Sequence, residues 1–141
     1  MIEIKSVSVK DTEKIGETIA KRLTGTEVLA LYGSMGMGKT AFVRGLARGL
    51  AITEEVSSPT FALVHEYRGK FPLYHFDMYR VASWEDLYST GFFDDLEQGI
   101  LVIEWSENIE AALEDQTIRI RFRLGETENE RIIIIEGINA L

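Results

Sequence analysis

Residues Gly33, Ser34, Met35, Gly36, Met37, Gly38, Lys39 and Thr40 spell G-x-x-x-x-G-K-T, the spacing of a loop that cradles polyphosphate. Glycines let the backbone bend so that successive N–H groups point inward at phosphate oxygens. A helix beginning at the end of the loop adds free N–H donors and its positive dipole end. Lys39 is placed to reach β- and γ-phosphates, and the Thr40 hydroxyl to hold Mg²⁺.

The motif needs a strand before it and a helix after it, and both are readable. Residues 27–32 (Glu-Val-Leu-Ala-Leu-Tyr) form a short apolar run suited to a buried strand. Phe42, Val43, Leu46, Ala47 and Leu50 recur at helical spacing over 39–50. Gly45 and Gly49 weaken that helix by roughly 1 kcal/mol each against Ala, which close packing on the sheet would explain.

A phosphate loop of this kind works with an acidic residue at the tip of a neighbouring apolar strand, where it meets the metal. Tips of parallel strands converge on one side of a sheet. Glu104 follows Ile100-Leu101-Val102-Ile103 and fits that place; the plain alternative is a strand-end charge in water. Asp77 ends Leu73-Tyr74-His75-Phe76 and is the rival carboxylate, for metal bound through water, for an attacking water, or for an ion pair. Ser57-Ser58-Pro59-Thr60 lies where a switch segment would sense a γ-phosphate, and is otherwise a turn. His65 and His75 lack partners at metal-ligand spacing and read as structural. Trp105 reads as packing rather than a lid. Arg119, Arg121 and Arg123 alternate with Ile118, Ile120, Phe122 and Leu124, so they stripe one strand face, either solvated or open to an acidic protein surface.

The remaining elements follow from periodicity. Residues 2–9 read as a first strand, and Asp11 as the cap of a helix carrying Ile15, Ile19, Ala20 and Leu23, stopped at Thr24-Gly25. Residues 61–67 and 71–79 form a hairpin through Arg68-Gly69-Lys70. Ser83 caps a short helix, 91–96 forms a further turn, 108–114 a helix, and 118–124 with 131–136 a second hairpin. Together they describe an α/β fold, a P-loop NTPase-like three-layer sandwich whose mixed sheet has a parallel core and antiparallel hairpins.

Bulk properties narrow the class. The chain has 141 residues, 45% hydrophobic and 27% charged, which is one globular domain over 1–141. No run approaches a membrane span, and the first residues lack a signal-peptide pattern. Cysteine is absent, which excludes disulfides, thiolate metal sites and cysteine nucleophiles and fits a cytoplasmic protein. The net charge of −8 disfavours direct binding to DNA or RNA, which rests on Lys and Arg neutralising phosphates.

Four blocks in this order resemble one family, TsaE, the small P-loop ATPases of bacterial tRNA threonylcarbamoyladenosine synthesis. They are the loop at 33–40, Ser58-Pro59-Thr60-Phe61, His75-Phe76-Asp77-Met78-Tyr79-Arg80, and Val102-Ile103-Glu104-Trp105. The resemblance implies binding of ATP or ADP with Mg²⁺, slow ATP hydrolysis, and work alongside TsaD and TsaB, with tRNA reached only through that complex. It implies Thr40 and Glu104 as metal ligands, Lys39 and the loop amides on the phosphates, Thr60 as switch-like and Asp77 as important for hydrolysis. Thr12 and Arg131 match regions that flank the adenine.

Two positions depart from the family's Gly-Asp-Leu-Gly-Ala-Gly-Lys-Thr-Thr. Ser34 stands where that pattern has Asp, removing a carboxylate near the γ-phosphate. Ala41 stands where it has Thr, losing a hydroxyl near the α-phosphate but keeping its N–H. Binding is therefore expected to survive more surely than turnover. A small-molecule or nucleoside kinase using the same loop is the alternative, although no arginine-rich lid insertion is present. A GTPase-type switch lacks its Asn-Lys-x-Asp sequence, and a scaffold with negligible chemistry stands as a further reading.

Overall fold

A computed structural model describes residues 1–57 and 63–141. Seven strands form one sheet: β1 (Ile2–Ser6), β2 (Val28–Tyr32), β3 (Val64–Arg68), β4 (Pro72–Asp77), β5 (Ile100–Glu104), β6 (Ile118–Leu124) and β7 (Arg131–Glu136). Their spatial order is β1-β7-β6-β2-β5-β4-β3. β6, β2, β5 and β4 run parallel. Antiparallel pairs close both sides, β3 on β4 and β6-β7-β1. This is the expected mixed sheet of a P-loop NTPase-like fold. The pairing of β1 with β7, which sets Ile2 opposite Ile135, joins chain ends that no local pattern relates.

Period-two alternation divides the buried strand residues between two helical layers. Ile100 and Val102 face one cluster, with Leu29, Leu31 and the apolar sides of α1 (Val9–Ala20) and α2 (Lys39–Gly49). Leu101 and Ile103 face the other, with Leu87 of α3 (Trp84–Ser89), Phe92 of α4 (Phe92–Asp95) and Ile109. β5 is buried along its whole length, as a strand covered on both faces must be.

The first helix begins one turn earlier than expected. β1 ends at Ser6, and Ser8 rather than Asp11 is the N-cap, its Oγ accepting from Asp11 N at 3.0 Å. Asp11 instead reaches back, Oδ2 accepting from Val7 N at 3.1 Å. The pair is a capping-box arrangement, in which the acidic residue three positions on returns a bond to the cap region. The segment expected as a helix at 108–114 is a 3-10 segment, Ser106–Ala112, with non-helical angles at Ile109.

The glycines of α2 answer to a different neighbour than the sheet. A Cβ on Gly45 would fall 1.8 Å from the Glu13 carbonyl oxygen, and one on Gly16 2.3 Å from that of Phe42. Gly49 likewise meets Ala20 and Glu17. α1 and α2 therefore touch backbone to backbone. That contact sets the start of α1 beside the start of α2, where the phosphate loop ends.

Candidate functional site

The loop leaves β2 at Tyr32 and turns into α2 at Lys39. Gly38 is the N-cap of α2 at φ 101°, and no side chain caps the helix. The first turn of a helix carries N–H groups without intrahelical partners, so α2 offers these to an anion. Gly36 sits at φ 82° with nothing within 4 Å of a built Cβ. Its need for glycine is conformational, not steric. Lys39 is only 7% exposed, and its Nζ donates to the Gly33 carbonyl at 2.6 Å, back across the loop it closes.

The carboxylates stand opposite the loop. Parallel pairing of β4 with β5 sets Asp77 directly beside Glu104. By alternation His75, Asp77, Val102 and Glu104 share one sheet face, and Val102 packs in the cluster with α2. Glu104 is 7% exposed, which overturns the plain reading of a charge in water. Its Oε2 lies 2.6 Å from Nε2 of the fully buried His75. A carboxylate in its ionised form only accepts, and toward that form His75 Nε2 is the donor. His75 Nδ1 has no partner among the described residues, so the ring's single hydrogen bond is to Glu104.

A turn after β4 is fastened to this carboxylate strand. Met78 N donates to the Glu104 carbonyl at 3.0 Å, and Asp77 Oδ1 accepts from Tyr79 N at 2.9 Å. Asn108 Nδ2 donates to the carbonyls of Met78 at 2.9 Å and Tyr79 at 3.2 Å. Trp105 holds φ 60°, a conformation that costs a bulky residue about 1–3 kcal/mol. Its ring meets Tyr79 at a centroid distance of 4.9 Å and stands 5.4 Å from Lys39 Nζ. Loop, carboxylates and Trp105 enclose a cleft of about 870 Å³ whose walls include Lys39, Thr40, Asp77, Arg80, Glu104 and Trp105. That volume is in the range of small-molecule sites.

Gly36, Gly38, Met35 and Ala41 also line the cleft. Thr12 is placed behind Gly38: its Oγ1 is 2.7 Å from Ser6 Oγ and donates to the Ser8 carbonyl at 3.3 Å, while its methyl faces Gly38. From the same helix start it is Val9, 62% exposed, that reaches the cleft. Arg131 binds the carbonyls of Glu128 at 2.6 Å, Glu130 at 2.9 Å and Gly36 at 3.4 Å, tying the β6–β7 turn to the loop tip. Ser58, Pro59 and Thr60, the expected switch, lie outside the described residues.

Other expectations change. His75 is a partner of Glu104 rather than a bystander, while His65 lies 3.2 Å from the Tyr67 hydroxyl. The arginine stripe is paired within the chain. Arg119 meets Glu110, Arg121 meets Glu136 and Arg123 meets Glu3, and Arg121 also lies over the Tyr32 ring. The Tyr32 hydroxyl donates to Glu110. Burial, together with that bond, pushes the phenol up to about 12.

The described residues contain no group of three or more His, Cys, Asp or Glu arranged to hold a metal. A cation beside Thr40 and Glu104 would draw most of its shell from phosphate oxygens and water. That is the habit of Mg²⁺, which binds through one or two carboxylates plus phosphates.

A family model described as threonylcarbamoyl adenosine biosynthesis protein TsaE matches residues 6–133. The tRNA threonylcarbamoyladenosine biosynthesis protein TsaE of Treponema pallidum (strain Nichols) is 40% identical over 130 residues, covering 92% of this chain and 96% of that protein. Its namesake from Bacillus subtilis (strain 168) is 39% identical over 129 residues, covering 89% and 80%. The crystal structure of Bacillus subtilis YdiB superposes with a TM-score of 0.74 at 35% identity, covering 94% of this chain and 82% of that one.

Proposed function

The chain belongs to the TsaE family of tRNA threonylcarbamoyladenosine biosynthesis proteins, and from that premise we propose that it binds ATP with Mg²⁺, hydrolyses it slowly, and supports TsaD and TsaB in the cytoplasm. The observation that carries the reading is the face-to-face placement of the uncapped start of α2 and the Asp77–Glu104 pair across one cleft. One side suits phosphate and the other suits the cation that accompanies it.

Each residue then has a task. The loop amides and the first amides of α2 take phosphate oxygens. Lys39 exchanges the Gly33 carbonyl for a charge-assisted bond to phosphate. Thr40 and Glu104 would hold the cation, which would supply positive charge to offset that of the phosphates. His75 fixes one oxygen of Glu104 and so orients the other. Asp77, whose Oδ1 is engaged by Tyr79 N, orients the attacking water through its second oxygen. Ser34 supplies no carboxylate to assist, which favours slow turnover.

Action through protein partners rather than directly on tRNA agrees with the net charge of −8. ATP turnover should be measured alone and with the TsaD–TsaB pair, with tRNA and small nucleosides as controls. A rate raised by the pair supports the reading. A rate indifferent to saturating pair but raised by a small acceptor would replace it with a kinase.

A further inference from the structure

Arg80 is the one arginine lining the cleft that has no carboxylate within salt-bridge distance among the described residues. Arg44 also lines it, but its guanidinium is 3.2 Å from Glu13. Arg119, Arg121 and Arg123 are paired on the sheet. An arginine without an ion-pair partner, in the wall of a cleft that a phosphate-binding loop also lines, carries the group best shaped to take two oxygens of one phosphate.

The turn bearing Arg80 is held from both ends and the middle. Asp77 Oδ1 caps Tyr79 N, Val81 N donates to the Met78 carbonyl at 3.1 Å, and Asn108 binds the carbonyls of Met78 and Tyr79. Met78 N is bonded to the Glu104 carbonyl, so the turn moves with the carboxylate strand. The backbone under Arg80 is therefore preorganised, and only its side chain must be ordered on binding.

We infer that Arg80 is a phosphate-binding residue for the terminal phosphoryl group of a nucleoside triphosphate, and so distinguishes triphosphate from diphosphate at this site. The α- and β-phosphates are served by the loop and the start of α2. The terminal phosphate, farther along the cleft toward Asp77 and Glu104, brings negative charge toward two carboxylates. Lys39 and the cation proposed above lie on the loop and Glu104 side, and Arg80 supplies a further positive charge from the turn after Asp77. The inference rests on the nucleotide reading above and adds to it the discrimination between two nucleotides.

The test is calorimetric binding of Mg-ADP and of a Mg-complexed β,γ-methylene ATP analogue to wild type, Arg80→Ala and Arg80→Lys. Arg80 is exposed, so neither variant disturbs the core. Arg80→Ala should keep ADP affinity within about two-fold and weaken the analogue by roughly ten- to a hundred-fold, the range for a charge-assisted contact. Arg80→Lys should fall between, keeping the charge but not the fork. Wild-type binding with an unchanged ratio of the two affinities in Arg80→Ala would overturn this inference alone. Failure of wild type to bind either nucleotide would overturn the nucleotide reading and this one with it.

Discussion

His75 Nε2 and Glu104 Oε2 are 2.6 Å apart across two adjacent parallel strands, and this bond joins the interior of the sheet to the cleft. His75 is wholly buried, and Glu104 has one oxygen committed to it. If Glu104 ligates a cation as proposed, this neighbour orients it beforehand.

His75→Leu should remove that orientation and leave a buried carboxylate unpaired, destabilising the protein by about 1–3 kcal/mol. His75→Gln, which can donate to Oε2, should recover part of the loss. In calorimetry the dependence of nucleotide affinity on Mg²⁺ should fall in His75→Leu and return in His75→Gln, while metal-free affinity changes little. Equal loss with and without Mg²⁺ in both variants would reduce His75 to a packing residue.

Glu104→Ala should lower Mg²⁺-dependent hydrolysis more than metal-free nucleotide binding. If both fell together, the carboxylate would be holding the strand rather than a cation.

Gly45→Ala should lower the melting temperature, because its Cβ would lie 1.8 Å from a backbone oxygen of Glu13 that no side-chain rotation can move. Forcing the helices apart costs typically 1–3 kcal/mol, against a gain of roughly 1 kcal/mol in helix propensity. A melting temperature equal to or above wild type would show that α1 and α2 separate freely.

Acid stability should depend on Glu27. Its partial burial pushes the carboxyl up, but bonds from the Thr24 and Gly25 amides and the Thr24 hydroxyl outweigh this, so its value lies below the ordinary one. A group lowered by folding contributes stability above its unfolded value, about 4.3, and loses it as pH falls through the folded value. Glu27→Gln should therefore lower thermal stability at pH 7 and converge with wild type as pH falls below the ordinary carboxylate range. Parallel curves across that range would remove Glu27 from the acid response.

The loop and its flanks could be read from the chain because strand, glycines and helix are consecutive, and Glu104 because it ends an apolar run. The His75–Glu104 bond could not, since it depends on which strand lies beside β5 and in what register. The same holds for Asn108, thirty residues from the Met78 carbonyl it binds, and for the Glu3, Glu110 and Glu136 partners of the arginine stripe. Gly45 was visible as an oddity, but its reason, the Glu13 backbone, lies on another helix. The cap of α1 is a local matter: Asp11 N donates to Ser8 Oγ and Asp11 Oδ2 accepts from Val7 N, which places the cap at Ser8 rather than Asp11.

The most direct measurement is calorimetric titration of Mg-ATP and Mg-ADP into wild type and Lys39→Ala. Saturable one-site binding to wild type that is abolished in a folded Lys39→Ala variant is the predicted result. Affinity unchanged by the substitution, or no binding to wild type, would contradict a nucleotide site at this loop.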